Sequence, residues 1–263
     1  MTYNSFIKKV KDHLSEPEFN LWGPGTFNGI SNIKHIANLN GRDKTEVVME
    51  ILAQDGVKTE MFRKPHRYAH HLNSSQVVCY EFFRPLIDDN GKMAKALRLM
   101  NLPDESLLGS KAEFEKVLKD GDGTNYDFYL SYNGYDVFFE IKYTERGFGS
   151  CSGDTSHQTK FENNYEEQLK GSVCIKESIK DTIHFPEMQE YYQLFRNILS
   201  IKKDTDYVVF LFPGENSITN GQFEAFKDKY LSEKGKKHVK CVYWEDLTEC
   251  MGERFRNKFF FYV

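Results

Sequence analysis

Asp127-Phe128-Tyr129-Leu130-Ser131-Tyr132-Asn133-Gly134-Tyr135-Asp136-Val137-Phe138-Phe139-Glu140-Ile141-Lys142 is the stretch that decides the fold. Asn133-Gly134 divides it into two runs of aromatic and aliphatic residues, and both turn residues tolerate the positive φ that a two-residue type I′ turn demands. The stretch therefore reads as a β-hairpin. With Asn133 and Gly134 as the loop, paired positions sum to 267, so Tyr132 faces Tyr135, Leu130 faces Val137 and Asp127 faces Glu140. Side chains alternate along a strand. Phe128, Leu130, Val137, Phe139 and Ile141 thus share an apolar face, while Asp127, Glu140 and Lys142 share the other.

Directly opposed Cβ atoms lie about 4.5–5.5 Å apart, and like charges at that spacing destabilise a sheet unless something compensates. A divalent cation is the natural compensation. Magnesium takes oxygen ligands, often one or two carboxylates with retained waters and phosphate oxygens. Lys142, two residues beyond Glu140, projects on the same side, where an ammonium can hold water or stabilise charge on a phosphoryl oxygen. Asp127, twelve intervening residues, and Glu140-Ile141-Lys142 at the end of an apolar strand resemble the motif of the PD-(D/E)xK phosphodiesterase superfamily, which includes restriction endonucleases.

The resemblance extends along the chain. Asn73-Ser74-Ser75-Gln76 reads as a helix start, with Asn73 as N-cap and Gln76 at N3 of a capping box, followed by Val77, Val78, Tyr80, Phe82 and Phe83 and ended by Pro85. Together with the hairpin and a later helix carrying Gln193-Leu194-Phe195-Arg196-Asn197, this is similar to a branch of bacterial restriction endonucleases, over roughly residues 70 to 215. The resemblance implies a restriction-endonuclease-like core: a helix, an antiparallel strand set bearing the acids, a helix and a further strand. It also implies a magnesium-dependent deoxyribonuclease, with manganese able to substitute. Asp127 and Glu140 would bind metal, the Ile141 carbonyl would add a ligand and Lys142 would position or activate water. An additional acid is common on the first core helix or strand of such proteins; Glu81 and Glu115 are the candidates, each weighed against an ordinary surface glutamate. Gln76 is a further accessory candidate. Gln193, Arg196 and Asn197 fall at i, i+3 and i+4, a polar stripe suited to reaching a phosphate, orienting a catalytic group or facing water.

Composition bounds the rest. The 263 residues suffice for one substantial core, so a single mixed α/β domain over residues 1–263 is expected, with elaborations outside 70–215. A net charge of −4 does not announce a nucleic-acid binder, although local fields rather than total charge steer a polyanion. Lys58, Arg63, Lys64 and Arg67, beside His66, His70 and His71, form a basic group able to track DNA phosphates, and Lys234, Lys236, Lys237 and Lys240 form a second group, better suited to a solvated face. Five cysteines, odd in number and widely spaced, indicate neither a disulfide scaffold nor a zinc site. The polar start and the lack of an apolar run of spanning length lead us to expect a soluble, cytoplasmic protein without a membrane segment.

Elsewhere the pattern predicts a helix from Asp43 or Lys44 to Gln54, helices over Tyr165–Lys170 and Gln222–Leu231, and a buried strand over Tyr207–Phe212. Further strands are expected at Lys111–Lys119, Lys240–Trp244 and Lys258–Val263. Gly149-Ser150-Cys151-Ser152-Gly153 imitates a nucleophile elbow, but no strand runs straight into it, so a loop flanking the acid pair is the better reading. No phosphate-cradling loop is present, and no nucleotide cofactor is expected. Double-strand cleavage would favour a homodimer. The alternative to a nuclease is a non-catalytic nucleic-acid-binding module on the same fold; the joint presence of Asp127, Glu140 and Lys142 argues against it, since an opposed acid pair is costly without metal.

Overall fold

A computed structural model of the chain describes residues 2–62, 64–118 and 124–263. The described chain forms two compact units. The first comprises Met1–Leu107, Pro213–Ser217 and Tyr243–Val263, and the second Leu108–Phe212 and Ile218–Val242.

In the first unit, helix α1 (Tyr3–Leu14) is capped by Thr2 and buries Phe6, Val10 and Leu14, one residue per turn along a single face. Strands β1 (Pro24–Phe27) and β2 (Ile30–Ala37) pair antiparallel about Asn28 and Gly29, whose φ angles of 49° and 78° make a second Asn-Gly hairpin. Helix α2 (Lys44–Gln54) starts on the Asp43 cap and stops ahead of Gly56, as its pattern predicts. Helix α3 (Ser75–Ile87) departs from expectation in two ways. Its N-cap is Ser74 rather than Asn73, and Pro85 lies inside the helix rather than ending it. Gln76 builds no capping box; its side chain accepts the His66 N–H at 2.8 Å and donates to the Lys64 carbonyl at 3.0 Å, pinning the preceding loop. Helix α4 (Asn90–Leu99) follows on the Asp89 cap.

The expected strand over Lys258–Val263 does not form: its first two residues end a helix over Glu253–Phe259, and the other four are turn and irregular chain. Phe255, Lys258 and Phe259 fall at i, i+3 and i+4 and are buried together on that helix. Lys258 is the reason the core here tolerates charge. Its ammonium meets Asp55 and, at 2.8 Å, Glu81, all three buried, and Arg254 closes on Asp55 from outside. Burial pushes the Glu81 carboxyl well up, with Asp55 adding to the rise against Lys258. Burial alone would raise Asp55 as well, but Lys258 and Arg254 hold it below the usual carboxylate range.

The second unit is built on a five-stranded sheet of order β3-β4-β5-β6-β7, formed by Lys111–Val117, Asn125–Tyr132, Tyr135–Ile141, Asp206–Phe212 and Val239–Tyr243. Strands β4 and β5 are the hairpin read from the sequence. Phe128 pairs with Phe139, Leu130 with Val137 and Tyr132 with Tyr135, and Asn133 and Gly134 take φ angles of 45° and 82°. Strand β3 adds antiparallel on the far side of β4, whereas β6 joins β5 in parallel, making the sheet mixed rather than wholly antiparallel. A parallel partner requires a crossover. Here it carries α5 (Thr155–Lys160), α6 (Glu166–Gly171), α7 (Phe185–Glu190) and α8 (Tyr192–Ile198); α9 (Ser217–Tyr230) and α10 (Glu233–His238) follow β6. As the central strand, β5 is covered on both faces: Val137, Phe138, Phe139, Glu140 and Ile141 are all buried.

A Cβ added at Gly134 would meet nothing within 4 Å, so the turn needs glycine for its φ of +82° and not for space. Gly134→Val should therefore destabilise the protein by at least about 1–2 kcal/mol, the cost of the left-handed region, more for a β-branched side chain. Urea denaturation checks this, and a wild-type midpoint would show that the turn does not constrain the hairpin.

Candidate active site

Strand β5 delivers Glu140 into the second unit with 3% of its surface exposed, and a carboxylate so placed must be surrounded by donors. Three provide them. Lys142 Nζ donates to Glu140 Oε1 at 2.6 Å, Gln193 Nε2 donates to the same oxygen at 2.6 Å, and Asn197 Nδ2 donates to Oε2 at 3.1 Å. Gln193 and Asn197 stand one helical turn apart on α8, which sets both amides over the strand. The polar stripe thus reaches a carboxylate through two of its three members. The third, Arg196, lies 5.0 Å over the Tyr192 ring and donates to Thr124 Oγ1 at 3.3 Å.

Asp127 enters by a different route. The ladder register holds from Phe128–Phe139 onward but stops one pair short of the acids, and Asp127 Oδ2 accepts the Ile141 N–H at 2.6 Å. At the same point β4 breaks its alternation. The Phe128 ring packs on Phe114 and Phe139, whereas the Tyr126 ring sits 4.9 Å from Phe138, whose side chain belongs to the opposite face. The Tyr126 hydroxyl donates to the Asn197 carbonyl at 2.9 Å and contacts Ser200 Oγ, tying β4 to α8 beside Asp127. On the other side, the β3–β4 register carries Glu115 to the level of Asp127, and Glu115 has a φ of 53°, rare for a side chain of this kind.

These charges act on one another. Burial, and then the Glu140 carboxylate, push the Asp127 carboxyl well above the usual range; Glu115 adds to the rise and Lys142 opposes it. Burial alone would lower the Lys142 ammonium, but Glu140, Asp127 and Glu145 more than offset this and leave it raised. An ammonium so held offers charge and hydrogen bonds. Asp127, Glu140 and Lys142, with the Ile141 backbone and Glu115, are therefore gathered around adjacent strands of one sheet. Glu81 and Gln76 belong to the first unit and are engaged there by Lys258 and by the 64–66 loop. Lys64 and Arg67 also belong to that unit and are exposed, with the Arg67 guanidinium 5.5 Å over the Tyr68 ring; Arg63 lies outside the described residues.

The nucleophile-elbow imitation dissolves. Cys151 lies in the irregular segment between β5 and α5, and burial pushes its thiol up, away from the thiolate a nucleophile needs. Lys234 and Lys236 of the second basic group pair with Asp204 and Glu233. Among the described residues no group of three or more His, Cys, Asp or Glu side chains could hold a metal ion, and no helix is long and apolar enough to cross a membrane. Tyr126 is the site residue that sequence reasoning passed over. Its aromatic ring reads as core, and only the fold shows that its hydroxyl meets α8.

A family model described as Restriction Endonuclease associating with ARP matches residues 53–259, most of the chain, and the chain belongs to that family. Neither a curated protein nor a solved structure matches it.

The raised Asp127 carboxyl has a consequence for stability. Between its unfolded value, near 3.8, and its higher folded value, the native state binds the extra proton, so this group's contribution to stability falls as pH rises through that window. Asp127→Asn keeps an acceptor for the Ile141 N–H and removes the penalty. In chelator, the variant should melt above wild type at neutral pH, and the gap should close as pH falls toward about 4. Parallel melting curves from pH 4 to 8 decide it; a gap that does not vary with pH would remove the acid pair as its cause.

Proposed function

We propose, from membership of a restriction-endonuclease family and from the buried acid pair beside Lys142, that this chain is a magnesium-dependent nuclease of PD-(D/E)xK type that hydrolyses DNA phosphodiester bonds. The observation that carries the reading is the juxtaposition of Asp127 and Glu140 on adjacent strands with the Lys142 ammonium 2.6 Å from Glu140. Two neighbouring carboxylates against one ammonium leave negative charge in a partly desolvated site, and Asp127 Oδ1 accepts no hydrogen bond among the described residues. This oxygen-only, under-neutralised donor set fits a hard divalent cation, magnesium or manganese. With two side-chain ligands, the rest would come from the Ile141 carbonyl, water and substrate oxygens. Bound there, the cation would supply Lewis-acid stabilisation of charge on the phosphoryl oxygens.

The remaining chemistry falls to the chain. Lys142 donates hydrogen bonds to the attacking water or to a non-bridging phosphate oxygen and carries positive charge to where negative charge develops. Gln193 and Asn197 keep the Glu140 carboxylate from turning. Lys64 and Arg67, exposed in the first unit, are suited to phosphate contacts that fix the DNA without reading its bases. A homodimer would allow both strands to be cut.

Lys142→Ala tests the reading. If the ammonium acts in the transition state, the variant should lose on the order of a hundredfold or more in kcat on linear and supercoiled DNA with magnesium, while DNA binding measured in calcium stays within a few-fold. Full activity in the variant would take Lys142 out of the mechanism. A wild type that cuts neither DNA form with magnesium or manganese would reject the nuclease.

A further inference from the structure

Glu140 can accept at four lone-pair sites, two on each oxygen. Oε1 is filled by Lys142 and Gln193, whereas Oε2 receives Asn197 alone. Oε2 is thus the Glu140 oxygen with a site left to offer, and Asn197 is the residue holding it. Asn197 itself is 1% exposed, too deep to meet substrate. Its position is fixed twice over, by its place on α8 and by the Tyr126 hydroxyl on its carbonyl, and Tyr126 is the residue directly before Asp127. A continuous path runs from β4 through Tyr126 to Asn197 and on to Glu140 on β5. It links the strands that carry the two acids across a point where their own ladder has ended.

We infer that Asn197 is a positioning residue: through Nδ2 it fixes Glu140 Oε2 as the oxygen presented to a divalent cation, and Tyr126 fixes Asn197. Burial alone does not require this arrangement, because Lys142 and Gln193 already compensate the charge from the Oε1 side. Groups that orient a metal ligand from behind typically change metal affinity or activity by about 10–100-fold when removed. The inference rests on the metal-dependent reading, and its test separates the two.

Asn197→Leu retains approximate volume and removes the donor; Tyr126→Phe removes only the hydroxyl. Manganese binding without DNA is measured by calorimetry at matched ionic strength, with melting temperatures taken in chelator. Asn197→Leu is expected to bind manganese about tenfold or more weakly while still unfolding cooperatively. Tyr126→Phe should weaken binding by a smaller factor, and the double variant by no more than Asn197→Leu alone, since both act along one path. Asn197→Gln, which carries the same amide on a longer stem, should recover part of the loss. Wild-type affinity in both single variants would overturn the assignment and leave the nuclease reading standing. A wild type that binds no manganese would overturn both, since Asn197 would then only satisfy a buried acid. Should Asn197→Leu fail to fold, Tyr126→Phe alone decides, with unchanged affinity counting against the assignment.

Discussion

A carboxylate sunk into the middle of a sheet has to be met by donors, and the second unit is arranged around meeting that demand at Glu140. Desolvating an unpaired charge costs several kcal/mol even after the protein relaxes. Lys142 could compensate the charge by itself. The structure goes further and brings two amides from α8 to the same carboxylate, so the orientation of Glu140 is set as well as its charge. The parallel placement of β6 makes this possible, because a parallel neighbour demands a long crossover and α8 is the last helix of that crossover.

The first unit holds an instructive contrast. Glu81 is as deeply buried as Glu140 and is likewise met by a lysine, yet the arrangement there is structural in kind. Lys258 serves two acids at once, Arg254 caps one of them, and among the described residues no side-chain amide fixes either carboxylate. Buried acid with lysine is thus a motif of charge compensation in both units. At Glu81 too a neighbouring acid stands by, Asp55, and the buried Glu81 Oε2 accepts no hydrogen bond; among the described residues Glu140 differs in its two neutral amide donors, which hold geometry without cancelling charge.

The hairpin and its register were legible because two strong local rules coincide there: an Asn-Gly turn fixes the count, and strict alternation fixes the face. They bring Asp127, Glu140 and Lys142 to one end of the hairpin, but the ladder ends at Phe128–Phe139, so the direct pairing of the two acids expected from the count does not form. Other features are not local. Asn28-Gly29 carries the same turn signal, but it lies between Pro24 and a polar, weakly alternating run, so the pattern that supports the 133–134 turn is missing. The C-terminal Phe259-Phe260-Phe261-Tyr262 run looks like a strand by composition; the Phe260 ring instead packs tilted against Trp244 and Phe255, and those partners cannot be read from the run itself. Glu81 and Glu115 are indistinguishable as sequence candidates. Burial with Lys258 and register with Asp127 separate them, and both depend on the assembled fold.

The irregularity at the acids is itself part of the design. Regular pairing would place Glu115, Asp127 and Glu140 side by side across three strands, the worst arrangement for like charges. Instead the ladder lapses at this level: Glu115 adopts a positive φ, Asp127 turns one oxygen to the Ile141 N–H, and Tyr126 moves its ring to the α8 side. The Glu115 departure costs local backbone energy, of order 1–3 kcal/mol for a residue in a sparsely populated region, and such strain persists only where the surroundings impose it. The surroundings here are the β3–β4 pairs Phe114–Phe128 and Lys116–Tyr126, which keep register on both sides of Glu115. A sheet that merely needed to be stable would replace one of these acids. Three acids at one level of the sheet, with one of them held in the left-handed region, form an arrangement that stability alone does not favour.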